Sequence, residues 1–255
     1  MLYCIHKTIF KFKILPIKKI DSISCFDLFY GIGCIANEKK AKEVCMSGAS
    51  KGNKICQAIK LYNGWFTTPN KKRSFDIFQE MVEKDALSQQ KDASIPIFYL
   101  ALFYQKGEGG AKKDIFKSIK LYKQAIKLKN SFAMINLGYI YQSGSGGVKI
   151  DLPKAIELFE QAVELKNSRA IFKLASCYQN GEGGIKQDIH KAVELYKQAV
   201  DMKDPKAMYH LALIYQNAEG GLQDTKKATE LLKQASSMGN RDSKKILQNC
   251  KKIKN

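Results

Sequence analysis

The stretch YQNGEGGIKQD, residues 178–188, decides the fold, because nearly the same words occur at Tyr104 (YQKGEGGAKKD), Tyr141 (YQSGSGGVKID) and Tyr215 (YQNAEGGLQD). The tyrosines are spaced by 37 residues each time. Leu121, Leu158, Leu195 and Leu231 keep nearly the same interval, as do Ala125, Ala162, Ala199 and Ala235, with the fourth copy one residue short. A period of this size marks one supersecondary unit copied in series, and such a unit buries its apolar stripe only by stacking on its neighbours.

Each unit reads as two helices. In the third, Ala170, Leu174, Ala175 and Tyr178 form one stripe, and Ala192, Leu195, Tyr196 and Ala199 form a second. The loop between them explains the repeated words. Gly181, Gly183 and Gly184 follow the tyrosine that closes the first helix, where a left-handed residue is the usual stop and glycine takes it freely. Asp188 then stands at the expected N-cap of the second helix, with Asp114, Asp151 and Asp224 in the same place. Pro153 falls in a first helical turn, where its missing N–H is harmless. A phosphate-binding loop needs a strand before the glycines and a helix directly after them; here a helix precedes and no GK[ST] follows. The glycines are therefore read as structural hinges.

Composition narrows the function. The chain has 255 residues, 45% of them hydrophobic, enough for a sizeable core or several stacked units. Lysines at 7, 11, 13, 18 and 19 break every candidate signal-peptide core, and no uncharged stretch approaches the roughly 20 residues that cross a bilayer. A soluble, cytoplasmic protein is expected. Its seven cysteines include no CxxC pair, so reduced structural thiols are expected. Cys34, Cys45 and Cys56 stand 11 apart, a faint metal or redox hint, but the histidines (His6, His190, His210) are scattered. No nucleophile motif or paired ligand set is present, and His190 beside Asp188 has no serine or cysteine nearby. Neither catalysis, nor a cofactor, nor a metal site is expected.

The formal charge is +19, of which residues 94–130 carry +6 and residues 131–240 only +1. Only three of the 43 basic residues are arginine, which argues against base-specific nucleic-acid reading. The ends, KFKILPIKKI and KKILQNCKKIKN, are the parts suited to an anionic membrane surface or to phosphates, and Phe10, Phe12, Ile14 and Leu15 among the lysines fit a membrane interface and a packed capping segment equally.

The order Ala133, Leu137, Gly138, Tyr141, Gly144, Gly146, Asp151, Lys154 and Ala155 resembles the Sel-1-like repeat family, a relative of the tetratricopeptide repeats. The resemblance implies an all-α, right-handed superhelical solenoid of antiparallel helix pairs and a role as scaffold or adaptor for a protein or peptide partner. It covers four units, 94–130, 131–167, 168–204 and 205–240. Residues 27–93 look like degenerate repeats, 241–255 like a capping helix, and 1–26 like a divergent basic segment. Ala218 replaces a loop glycine, Pro96 replaces the first-helix alanine, and KDALSQQKDA inserts residues before Ser94; a kink or a looser stack is expected there.

If the recurring stripe of each first helix faces inward, the opposite side is free to vary. That side contains Tyr99 and Leu102, Asn136 and Tyr139, Lys173 and Ser176, and His210 and Leu213, which differ from unit to unit while their neighbours repeat. In helical solenoids the first helices commonly line the concave groove, so this column is the candidate binding face. The recurring glutamines, Gln105, Gln142, Gln179 and Gln216, and Gln124, Gln161, Gln198 and Gln234, are read either as a ladder for a peptide backbone or as a trace of duplication.

Overall fold

The computed structural model describes residues 38–65, 67–83 and 93–253, which form twelve α-helices and no strand. Three come first: α1 (Glu38–Ser50), α2 (Lys54–Asn63) and α3 (Lys71–Glu83). Four hairpins follow. They are α4 (Ser94–Lys106) with α5 (Ile115–Lys127), α6 (Ser131–Ser143) with α7 (Leu152–Glu164), α8 (Ser168–Asn180) with α9 (Ile189–Asp201), and α10 (Pro205–Gln216) with α11 (Thr225–Ser237). Helix α12 (Arg241–Ile253) closes the array. Each helix packs chiefly on those before and after it, giving a solenoid with one continuous core. The N-terminal basic segment, Cys34 and nearly all of the insertion before Ser94 lie outside the described residues.

The hairpins form as the loop chemistry requires. Gly107, Gly144 and Gly181 end the first helices with φ between 65° and 70°, their N–H groups bonded back to Phe103, Ile140 and Cys177. Asp114, Asp151, Asp188 and Asp224 cap the second helices by accepting from the N–H of the lysine three residues on. The same aspartates donate their own N–H to the carbonyls of Tyr104, Tyr141, Tyr178 and Tyr215, which closes each loop at a fixed width. The capping lysines then lie over those tyrosine rings: Lys117 Nζ stands 4.0 Å from the Tyr104 centroid and Lys191 Nζ 4.4 Å from that of Tyr178.

Three contacts join one unit to the next. In the second and third loops the middle glycine meets the start of the preceding second helix, Gly146 against Ile115 and Gly183 against Ile156, so closely that a Cβ there would collide. The asparagine before a first helix sends its amide to the head of the previous one: Asn130 Nδ2 to Ser94 Oγ at 3.3 Å, Asn167 Nδ2 to Ser131 Oγ at 2.9 Å and Asn240 Nδ2 to the Pro205 carbonyl at 3.3 Å. Gln142 and Gln179 donate to the loop glutamates of the following unit, Glu182 and Glu219, both at 2.9 Å. These two glutamines are thus neither a peptide ladder nor a mere trace of duplication.

Pro96 does not kink its helix, because it lies in the first turn of α4, where intrahelical N–H bonds are not formed. Ala218 adopts the left-handed conformation of the glycine it replaces, at φ 56°. Cys45, Cys56 and Cys177 are buried thiols, and no cluster of potential metal ligands exists among the described residues.

Candidate partner-binding face

The first helices are not two-faced in the way their stripes imply. Each is pressed from both sides, by the second helix of its own unit and by the second helix of the unit before, and the aromatic residues Phe78, Tyr122, Phe159 and Tyr196 of those second helices are fully buried. This corrects the column in unit one. Tyr99 is 0% exposed, stacked on Phe78 at 4.9 Å between centroids and met edge-on by Tyr62 and Phe98. It belongs to the core, and Leu102 one turn on is half-buried against the same cluster.

The other six positions reach the surface to different extents. Asn136 is half-buried beside Tyr122. Tyr139 is 36% exposed, with its ring edge-on to Phe159 at 5.5 Å; burial pushes its phenol pKa up while Lys173 and Arg169 pull it down. Lys173 holds Glu182 at 3.2 Å, and the half-buried Ser176 faces Tyr196, so this part of the face is braced from beneath. His210 stacks on Tyr196 at 5.8 Å and meets Phe172 and Tyr209 edge-on at 5.2 and 5.3 Å, while Leu213 one turn on is half-buried. Burial holds its imidazole below the ordinary value, and Lys206 adds to that.

The structure also brings in residues outside the predicted column. Arg169 and Lys206 are exposed one turn before Lys173 and His210, and Phe172 and Tyr209 are half-buried beside them. In units one and two the same two positions are Ile95 and Phe98, and Phe132 and Ile135, all buried. The face therefore opens progressively: closed in unit one, a single tyrosine in unit two, then aromatic and basic in units three and four. The change from apolar Ile95 and Phe132 to Arg169 and Lys206 at one repeat position is the signal in the sequence that marks it. Such a surface offers ring faces, cationic donors and no free acid of its own, since Glu182 and Glu219 are engaged by glutamines. Cys177 lies beneath it with its thiol pKa pushed up to about 11 by burial, which keeps it protonated and unreactive.

Comparison with known proteins agrees with this architecture. The Sel1 repeat matches residues 28–43, 97–130, 131–167, 168–204 and 205–240. Among solved structures, a Sel1 repeat protein from Oxalobacter formigenes superposes with a TM-score of 0.66 at 24% identity, covering 88% of this chain and 86% of that one. A protective antigen of uropathogenic Escherichia coli with an SLR fold gives 0.59 at 20% identity, over 87% of this chain and 46% of that chain. An immunity protein of Pseudomonas aeruginosa gives 0.50 at 21% identity, over 73% and 68%. No curated protein matches the sequence. With the repeat matched over more than half its length and its hairpins stacked in the manner of those neighbours, the chain belongs to the Sel1 repeat family.

Proposed function

We propose that the protein is a non-enzymatic adaptor that holds a protein or peptide partner along the first helices of units two to four. Sel1 repeat proteins are generally protein–protein interaction scaffolds, and the fold is typically non-catalytic. One observation carries the finer reading. Where units repeat their core positions, the exposed and half-buried positions of α6, α8 and α10 change into an aromatic and cationic set, in which Tyr139, Arg169 and Lys206 are exposed and Lys173, Tyr209 and His210 half-buried. Aromatic and arginine side chains on a rigid support are the residue types that dominate protein recognition. Among the described residues no helix is long and apolar enough to cross a membrane.

The test is affinity capture from native lysate with the full chain beside a variant carrying Tyr139→Ala, Arg169→Ala, Lys206→Ala and His210→Ala. A stoichiometric protein held by the first and lost by the second, at equal helical content, supports the reading. Equal capture by both contradicts it. Recovery of only salt-sensitive nucleic acid or lipid by both would move the function to the basic ends.

A further inference from the structure

The second helices carry on their outer sides a charge pattern that packing does not explain. On α5, Phe116, Lys120, Lys123 and Lys127 follow the spacing i, i+4, i+7, i+11 and form one narrow stripe opposite the buried Ser118, Leu121, Tyr122 and Ala125. The helix contains no acid, and Phe116 is 67% exposed. One repeat later, at the same four positions on α7, stand Pro153, Glu157, Glu160 and Glu164, all exposed. Three lysines have become three glutamates at equal height. The corresponding residues of α9, His190, Glu194, Lys197 and Asp201, are mixed in sign.

Helices α5 and α7 run parallel, because α6 packs antiparallel to both. The loop that leads into α7 rests through Gly146 on Ile115, the first residue of α5, so both helices begin at the same end of the array. The outer side thus carries a positive row on one unit and a negative row at the matching positions of the next. We propose that this face is a self-association surface, occupied by a second copy of the chain. A two-fold axis parallel to the helices and midway between them lays α5 of one copy over α7 of the other. It sets Lys120, Lys123 and Lys127 opposite Glu157, Glu160 and Glu164, twice over, and covers each Phe116 with a Pro153. A two-fold axis across the helices would instead oppose lysine to lysine. The pattern therefore selects one isologous arrangement. It leaves the face on the first helices free.

An anionic membrane or nucleic acid would use the lysine row alone, and the glutamate row beside it opposes both. The three ligands are separated by charge reversal in the full chain. In sedimentation velocity at low ionic strength the protein is expected to dimerise, and to dissociate at high ionic strength as such pairs are screened. Reversal of one row, either Lys120→Glu with Lys123→Glu and Lys127→Glu, or Glu157→Lys with Glu160→Lys and Glu164→Lys, should raise the dimer dissociation constant at least about tenfold. An equimolar mixture of the two reversed proteins should associate again, as should a single chain carrying both reversals. All six sites are exposed, so unchanged thermal melting controls for folding. A wild-type monomer at low ionic strength, a dimer indifferent to either reversal, or a mixture that stays monomeric would overturn the proposal. So would a monomer that binds anionic vesicles or RNA and loses them only on reversal of the lysines, which would assign the row to phosphates.

Discussion

The seam between units two and three and the seam between units three and four share one backbone and differ in what crosses it. At the former, Asn167 caps α8 and sends its amide to Ser131, and Glu182 gathers Gln142, Lys173 and Asn180 within 3.2 Å. At the latter, Asp204 still caps α10, but its carboxylate has no N–H with which to reach the head of the preceding first helix as the Asn167 amide does, and the loop is entered through a left-handed alanine. Period alone therefore fixes the path of the chain, while single residues at the seams set how tightly neighbours couple. In a solenoid, stability is close to a sum of unit and interface terms, so such differences become differences in where the array opens first.

The largest effect should come from the core that both seams share. Phe159 is fully buried under Tyr139 and so close to Gly138 that a methyl group would clash, and Phe159→Ala should cost about 3–5 kcal/mol in denaturant unfolding. A loss near that of an exposed site, such as Lys197→Ala, would show that the helix phase is wrong. Next comes Gly183→Ala, which places a Cβ 2.7 Å from Ile156 Cγ1 at a φ of 74°; about 2–3 kcal/mol is expected.

The seam comparison is sharpened by exchanging the residues that distinguish the two. Asn167→Ala should cost about 1–2 kcal/mol, because it removes a cap and a buried amide bond together. Asp204→Asn should gain about 0.5–1 kcal/mol by giving the fourth unit the missing donor. Equal and negligible effects at both sites would erase the distinction. Ala218→Gly relieves a left-handed alanine and should gain up to about 1 kcal/mol.

The smallest effect is a pH dependence. His210 has its pKa depressed by burial, so the unfolded chain takes up a proton more readily than the folded one. Stability is then full above the ordinary value of 6.5 and declines as pH falls below it. Melting curves across that window should slope for the wild type and flatten for His210→Phe.

Much of this was legible in the sequence, for a physical reason. Caps, helix stops and the 37-residue interval act within one unit, through contacts between residues close in the chain, so Asp188 and Gly181 identified themselves. Seam contacts join residues 27 to 40 apart, as Gly183 to Ile156 and Gln142 to Glu182, and become visible only once the stacking offset is known. Tyr99 was misplaced because α4 was treated as two-faced. Its run IPIFYLALF, residues 95–103, is apolar all round, the mark of a helix buried on every side. The opening of the face in units three and four depends on the same distinction, since Arg169 and Lys206 stand where Ile95 and Phe132 are buried.

The most direct test of the account is hydrogen exchange on the full chain, alone and with its captured partner. If the first helices bind, slowed exchange should concentrate on α6, α8 and α10, leaving the outer turns of α7 and α9 unchanged. Protection confined to the second helices or to the basic ends, with α8 and α10 exchanging as in the free protein, would contradict it.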